Sequence, residues 1–280
     1  MSGRLLVGWN VLKAWLLLVG GCAVVAAIGW PLGGYRLVSL LLFFGLLVVG
    51  AAYWYADRVA LGMVGARELP FGESPALHAT VRQLAGLARI PAPRIYLLPD
   101  GHPRALSAGR GLRGSAVAVS RGLLTAAPPA ELEAVLAHEL AHIKNRDVLV
   151  QTSVVVFAAA LVETSRIGGW LSRPLLFVLG PIASALVHLL LSPKREFAAD
   201  RAAAALCGSP HGLADALIRL EQASELVEFR ANPATEPLYT FNPFAEEGLA
   251  GLFVTHPPVG ERVRRLRELD PDWREKLRAA

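Results

Sequence analysis

The chain has 280 residues, 54% of them hydrophobic and only 18% charged, where an ordinary soluble domain carries about 25% charged residues. Its net charge of +5 comes without any aromatic-rich nucleic-acid-binding motif, so nucleic acid is excluded as a partner. Cys22 and Cys207 are the only cysteines, too few for a disulfide framework or a cysteine zinc cluster, so a metal would have to be held by histidine and carboxylate.

The missing charges are not spread evenly. None falls between Lys13 and Arg36, between Arg36 and Asp57, or between Arg173 and Lys194, and a shorter gap covers 148–162. Each long gap matches the ~20 apolar residues that cross a bilayer as helix. Residues 14–35 and 37–56 predict an N-terminal transmembrane hairpin within 1–56, turned by Trp30-Pro31-Leu32-Gly33-Gly34-Tyr35. Gly and Pro break the pattern there, and Trp and Tyr suit a membrane interface. A cleaved signal is not expected. The apolar run outlasts a signal's ~7–15-residue core, and Ala23 to Ile28 after Cys22 stay apolar instead of becoming a polar tether.

From Asp57 to Asp147 the chain is polar and rich in arginine. Ser74 to Ala88 has helical periodicity, with Leu77, Val81, Leu84 and Leu87 on one side. Arg94 to Leu98 and Ser115 to Ser120 predict strands, with a shorter third at Ala105 to Ala108. Between them, Gly109-x-Gly111-x-x-Gly114 matches a dinucleotide fingerprint. A strand-like run follows it where a helix should open, so a loop is expected and no nucleotide.

Pro128-Pro129 opens a helix, with Glu131 and Glu133 at its positive end. This helix is expected to run on into the hydrophobic segment 148–162. Those fifteen residues cover only about 22 Å, so the segment crosses by reaching Trp170 or dips in partway. The fourth segment, 174–193, ends at Ser192-Pro193. Helices over 194–206 and 211–230, a loop over 231–255 and a short basic helix over 261–269 complete the chain. Residues 57–280 thus form one domain interrupted by a second hydrophobic hairpin at about 148–193.

Within this order lies His138-Glu139-Leu140-Ala141-His142. Histidines four apart on a helix share one face and can offer imidazole nitrogens to one metal. Glu139 projects about 100° away, where it can take a proton from water that the metal acidifies. Catalytic zinc wants a third protein ligand. His78, His102 and His211 are poorly placed, and His188 lies inside the fourth segment. Glu196 is the carboxylate candidate, opening a helix as the chain leaves the membrane. Asp200, four residues on and on the same face, is placed to accept the second ring N–H of a ligand histidine.

Taken together, two N-terminal spans, the His138–His142 motif with Lys144-Asn145-Arg146-Asp147, a hydrophobic hairpin, Arg195-Glu196-Phe197-Ala198-Ala199-Asp200 and Thr255-His256-Pro257-Pro258 with Arg262 resemble the HtpX-type membrane zinc metalloproteases over nearly the whole length. The resemblance implies one zinc ion held by His138, His142 and Glu196, with Glu139 as general base. It implies a multi-pass protease of the cell membrane, facing the cytoplasm, that clears damaged or misfolded membrane proteins under stress. In related zinc proteases a histidine and an arginine placed like His256 and Arg262 approach the metal, the first steadying the oxyanion and the second pairing with the third-ligand helix. An exposed histidine before a Pro-Pro helix start is the competing reading. One departure stands out. The family has an Asn-Ala-Phe-Ala-Thr-Gly-like stretch, thought to present an edge strand to substrate, where this chain has Arg104-Ala105-Leu106-Ser107-Ala108-Gly109.

The expected fold class is therefore α+β: a mainly helical integral membrane protein with four hydrophobic segments and a zincin-like protease domain containing a small β-sheet. Four passes place the N-terminus, 57–147 and the basic C-terminus on one side, and charge bias makes that side cytoplasmic. Arg166 and Arg173 in the short distal loop run against the bias. Protein substrates and the lipid bilayer are the expected partners. Two other readings are a non-catalytic metal-organised membrane scaffold or chaperone, and a CAAX prenyl protease. The intact Glu139 argues against the first, and a shell of seven spans, where four fit, against the second.

Overall fold

The computed structural model describes residues 3–167, 191–226 and 256–270, with isolated positions from 177 to 188 and residue 272. The chain divides into two compact units, Met1–Ala56 and Asp57–Ala280.

The first unit is formed by helix α1 (Gly3–Met63), which carries Pro31 and loses helical geometry at Gly34, at φ 61° and ψ −157°. Only glycine takes that conformation without steric cost. A Cβ on Gly29 would lie 3.1 Å from Val38 Cγ2 and 3.3 Å from Leu41 Cδ1. A straight helix would hold those residues ~14–18 Å apart along its axis, so the chain doubles back at Gly34, inside the expected turn. Leu40, Phe43, Phe44, Leu46 and Leu47 of the second arm are exposed. Among the described residues no helix is long and apolar enough to cross a membrane. Much of the expected fourth segment at 174–193 lies outside the described residues, and the 231–255 loop lies wholly outside them.

The second unit contains the last turns of α1, then β1 (Arg67–Glu68), a 3-10 turn (Phe71–Glu73), α2 (Pro75–Ala88), β2 (Arg94–Leu98), β3 (Ala105–Gly109), β4 (Ser115–Ser120), α3 (Arg121–Ala126), α4 (Pro129–Asn145), α5 (Asp147–Ile167), α6 (Lys194–Cys207), α7 (His211–Leu226) and α8 (Val259–Arg267). It is mostly helical with one small mixed sheet of order β1-β2-β4-β3. β2 and β4 are parallel, while β1 and β3 pair antiparallel at the two edges. Alternation along the strands sends side chains to two cores. Ile95, Leu97, Ala105, Val117 and Val119 join the main core with α2 and α4. Leu98, Leu106, Ala108, Ala116 and Ala118 pack on Ala60 and Leu61 of α1, on Val64 just after it and on Val155 of α5. The glycine run is the β3–β4 turn: Arg110 N donates to Gly114 O at 3.1 Å, and Gly111 has φ 139°.

α4 runs through the middle of this unit, with every residue from Ala134 to Ile143 buried. A helix enclosed on all sides is held by packing instead of by an amphipathic stripe. It does not run on into the next helix as expected. Arg146 adopts the left-handed conformation at φ 61° and ψ 22°, and its N–H returns to His142 and Ile143 carbonyls. That cap ends α4, and Asp147 opens α5 where a negative charge favours a helix start. The basic helix, α8, also begins two residues before its expected start, directly after Pro258 as N-cap.

α7 meets α4 at a glycine. A Cβ on Gly212 would sit 2.8 Å from Ala130 O and 3.3 Å from Ala134 Cβ. Gly212→Ala should therefore lose more to overpacking, about 1–3 kcal/mol, than the roughly 0.5–1 kcal/mol it gains as a better helix former. A lowered thermal midpoint in a melt of the purified protein is the expected outcome.

Candidate metal centre

One turn of α4 brings His138 and His142 together, their Nε2 atoms 3.1 Å apart. Glu196, in the first turn of α6, reaches them from the side. Its Oε2 lies 3.5 Å from His138 Nε2 and its Oε1 3.6 Å from His142 Nε2. All three residues are buried, and among the described residues they form the group able to hold a metal ion. Glu139 is buried beside them at 1% exposure.

Each imidazole is gripped from behind. His138 Nδ1 lies 3.0 Å from Asp200 Oδ1, one helical turn beyond Glu196. His142 Nδ1 lies 3.2 Å from Asp147 Oδ2. Asp200 in turn accepts two hydrogen bonds from Arg262 on α8, at 2.9 Å from Nε and 2.6 Å from Nη2. Arg262 is fully buried, with Nη2 3.4 Å from His138 Nε2 and Nη1 3.9 Å from Glu196 Oε2. His256 is buried too, with Nε2 3.6 Å from Glu196 Oε2. All seven residues singled out from the sequence thus lie in one buried cluster. Two of the other histidines engage elsewhere: His78 Nε2 meets Leu69 O at 3.0 Å and His211 Nε2 meets Asp270 Oδ2 at 3.0 Å.

The sequence profile of peptidase family M48 matches residues 72–270. A "Protease HtpX homolog" of Pelotomaculum thermopropionicum is 40% identical over 278 residues, covering 92% of this chain and 98% of its own length. Another from Aquifex aeolicus is 38% identical over 267 residues, covering 88% of each. The chain belongs to peptidase family M48. It is an HtpX-type metalloprotease. Its fold is similar to the crystal structure of S. mikatae Ste24p, with a TM-score of 0.50 at 18% identity, covering 92% of this chain and 64% of that one.

The donor set of this M48 protease fits a cation. The two Nε2 atoms are 3.1 Å apart, near the ~3.3–3.4 Å edge of a tetrahedron with 2.0–2.1 Å metal–ligand bonds, and one ligand atom from each of the three residues lies within 4.8 Å of the others. Neither oxygen of Glu196 accepts a hydrogen bond among the described residues, although a buried carboxylate is costly unless something satisfies it. The electrostatics agree. Burial pushes Glu196 up, but His256 and His142 outweigh it and hold the carboxyl well below its usual range. Burial pushes His142 down, and the Glu196 and Asp147 carboxylates overcome that and raise it to about 10. Asp200, buried but facing Arg262, is lowered to about 2.

Two members of this cluster were not assigned roles from the sequence. Asp147 was visible only as the end of a motif, and the signal that could have found it is an acidic helix start five residues after a ligand histidine. Arg195, at 8% exposure, sets its Nε 3.1 Å from Glu196 Oε1. Arg104, at the entry to β3, is also buried. It pairs with Asp100, and its backbone N–H donates to Ser120 Oγ at 2.9 Å.

With a folded-state value near 10, the metal-free His142 keeps its proton at neutral pH, so a cation must expel it. Uptake of a divalent ion at pH 7.5 should release about one proton, and affinity should fall as pH falls. Calorimetry in buffers of different ionisation enthalpy reads this number; zero would contradict the arrangement.

Proposed function

We propose that this protease is a membrane-embedded zinc endopeptidase whose ion is held by His138, His142 and Glu196. The observation that carries the reading is the buried Glu196 carboxylate facing the imidazole nitrogens of His138 and His142. Histidine and carboxylate in a His2Glu set suit zinc best among common metals. When bound, the ion supplies Lewis acidity to water and to the peptide carbonyl. Glu139 takes the proton from the attacking water and delivers it to the departing amine as the C–N bond breaks. His256 donates to the carbonyl oxygen as it gains charge. Asp200 and Asp147 hold the tautomers and ring planes of the two histidines, and Arg262 keeps Asp200 ionised and in place. Substrate in extended form pairs through backbone hydrogen bonds with β3, the last strand of the sheet.

The membrane reading carries the domain organisation with it: a transmembrane hairpin over 1–56, and a protease domain over 57–280 interrupted by a second hydrophobic hairpin at about 148–193. Four hydrophobic segments then cross the cell membrane and the active site faces the cytoplasm. Support comes from the exposed aromatics of the first unit. Tyr35 at the turn and Trp54 with Tyr55 at the base are all exposed, and the intervening helix is ~28–30 Å long, close to a ~30 Å hydrocarbon core. Tyr and Trp collect at both interfaces of a bilayer. The substrates are damaged or misfolded membrane proteins.

The roles separate under mutation. His138→Ala, His142→Ala and Glu196→Ala should each lose activity and most bound zinc, and chelator should do the same to the wild type. Glu139→Gln should keep the metal and lose turnover by several orders of magnitude. Asp147→Ala and Asp200→Ala should weaken zinc affinity or activity by about 10–100-fold. Metal analysis beside cleavage of an unfolded membrane protein and of a prenylated peptide checks all of these. Wild-type turnover in Glu139→Gln would overturn the mechanism. Reporter fusions after residues 120 and 275 should report the same side of the membrane, and opposite sides would refute four passes.

A further inference from the structure

Arg262 enters the metal centre on α8, a helix of only nine residues. So short a helix has little stability of its own and takes its position from what it touches. Its apolar share is small, with Leu266 buried and Val259 and Val263 packed at the edge of the main core. Its far end is fastened by polar contacts to the start of α7. Arg267 Nη1 lies 2.6 Å from His211 Nδ1, and Arg267 Nη2 donates to Asp215 Oδ1 at 2.5 Å. His211 Nε2 lies 3.0 Å from Asp270 Oδ2, and the His211 backbone N–H donates to Ser209 Oγ at 3.2 Å. Arg267 can only donate, so Nδ1 accepts and the ring hydrogen sits on Nε2, facing Asp270. The neutral imidazole fills both roles at once.

We propose that His211 is a positioning residue for the protease reaction: it pins the end of α8 to α7 through Arg267 and Asp270, and so holds the Arg262 guanidinium against Asp200 and His138. Arg262 and Arg267 share one rigid helix and lie about 7.5 Å apart along it. A shift at the fastened end therefore reaches the buried end almost undiminished. Catalytic groups tolerate displacements of only about 0.5 Å. The contact is thus remote from the metal yet sets the geometry behind one of its histidines. The inference rests on the zinc-centre reading above.

The test uses the full-length protein in detergent or nanodiscs, with His211→Ala and His211→Gln each made alone and combined with Arg262→Lys. Activity, zinc affinity by competition with a fluorescent chelator, and thermal midpoint are read for each. His211→Ala should lower kcat by about tenfold or more and weaken zinc affinity in parallel, as loss of support behind a metal ligand does, with KM changed by less than about twofold. His211→Gln, whose carbonyl accepts and whose amide donates, should recover most of both. Combined with Arg262→Lys, His211→Ala should cost less than about twofold more, while its drop in thermal midpoint is the same in both backgrounds. Additive losses in the two backgrounds, or a Gln variant no better than Ala, would show a purely structural contact and overturn the inference. So would a fully active Arg262→Lys with wild-type zinc affinity. Failure of the protease mechanism would appear separately, as turnover by Glu139→Gln, and would leave the affinity and melting comparisons intact.

Discussion

Glu196 is 1% exposed, and taking an ionised carboxylate out of water costs several kcal/mol unless positive charge or hydrogen bonds replace the solvent. The catalytic domain is organised around that cost. From Asp147 through His142, Glu196, His138 and Asp200 to Arg262, acidic and basic groups alternate, each within 3.6 Å of the next. The six residues come from α5, α4, α6 and α8, so the chain of charges is also a chain of helices. α4 supplies the two members that face a cation, and its burial on all sides leaves no room for them to turn away. The fold thus resists the usual escape of a buried acid, which is to take up a proton and become neutral.

The parts of this site legible in the sequence are those that lie within one regular helix. His138 and His142 at i and i+4, and Glu196 and Asp200 at i and i+4, are read by the 3.6-residue period alone. Glu196 as third ligand needed elimination of the other histidines and a family resemblance. Asp147 escaped because its relation to His142 runs across Arg146. Extrapolating α4 as straight helix carries residue 147 away from His142, whereas one left-handed residue brings it back. β1 escaped for a different reason: two residues, both exposed, leave no alternation to detect. The order of the strands was equally hidden, since the parallel pairing of β2 with β4 depends on α4 and α2 covering one face of the sheet.

The β3 edge shows how a family difference can be absorbed. Arg104 replaces a small amide at the head of the edge strand, and a guanidinium there could have projected into the path of a bound peptide. It turns inward instead, paired with Asp100 and buried at 4% exposure. Antiparallel pairing with β4 occupies one side of β3, Gly109 N–H donates to Thr152 Oγ1 of α5 at 3.0 Å, and the charge of the Arg104 guanidinium is spent inside the domain beside Asp100.

The single left-handed residue between α4 and α5 has a mechanical consequence. α5 is 21 residues long, a lever of about 31 Å, and Arg146 is its pivot. If the far end of that lever swings by about 5 Å, the rotation is only ~10°, and a residue at the hub moves by less than ~1 Å. Asp147 is that hub residue. Placing the carboxylate beside His142 at the fulcrum isolates the cluster from displacement of the helix's far end, as an axle stays still while the rim travels.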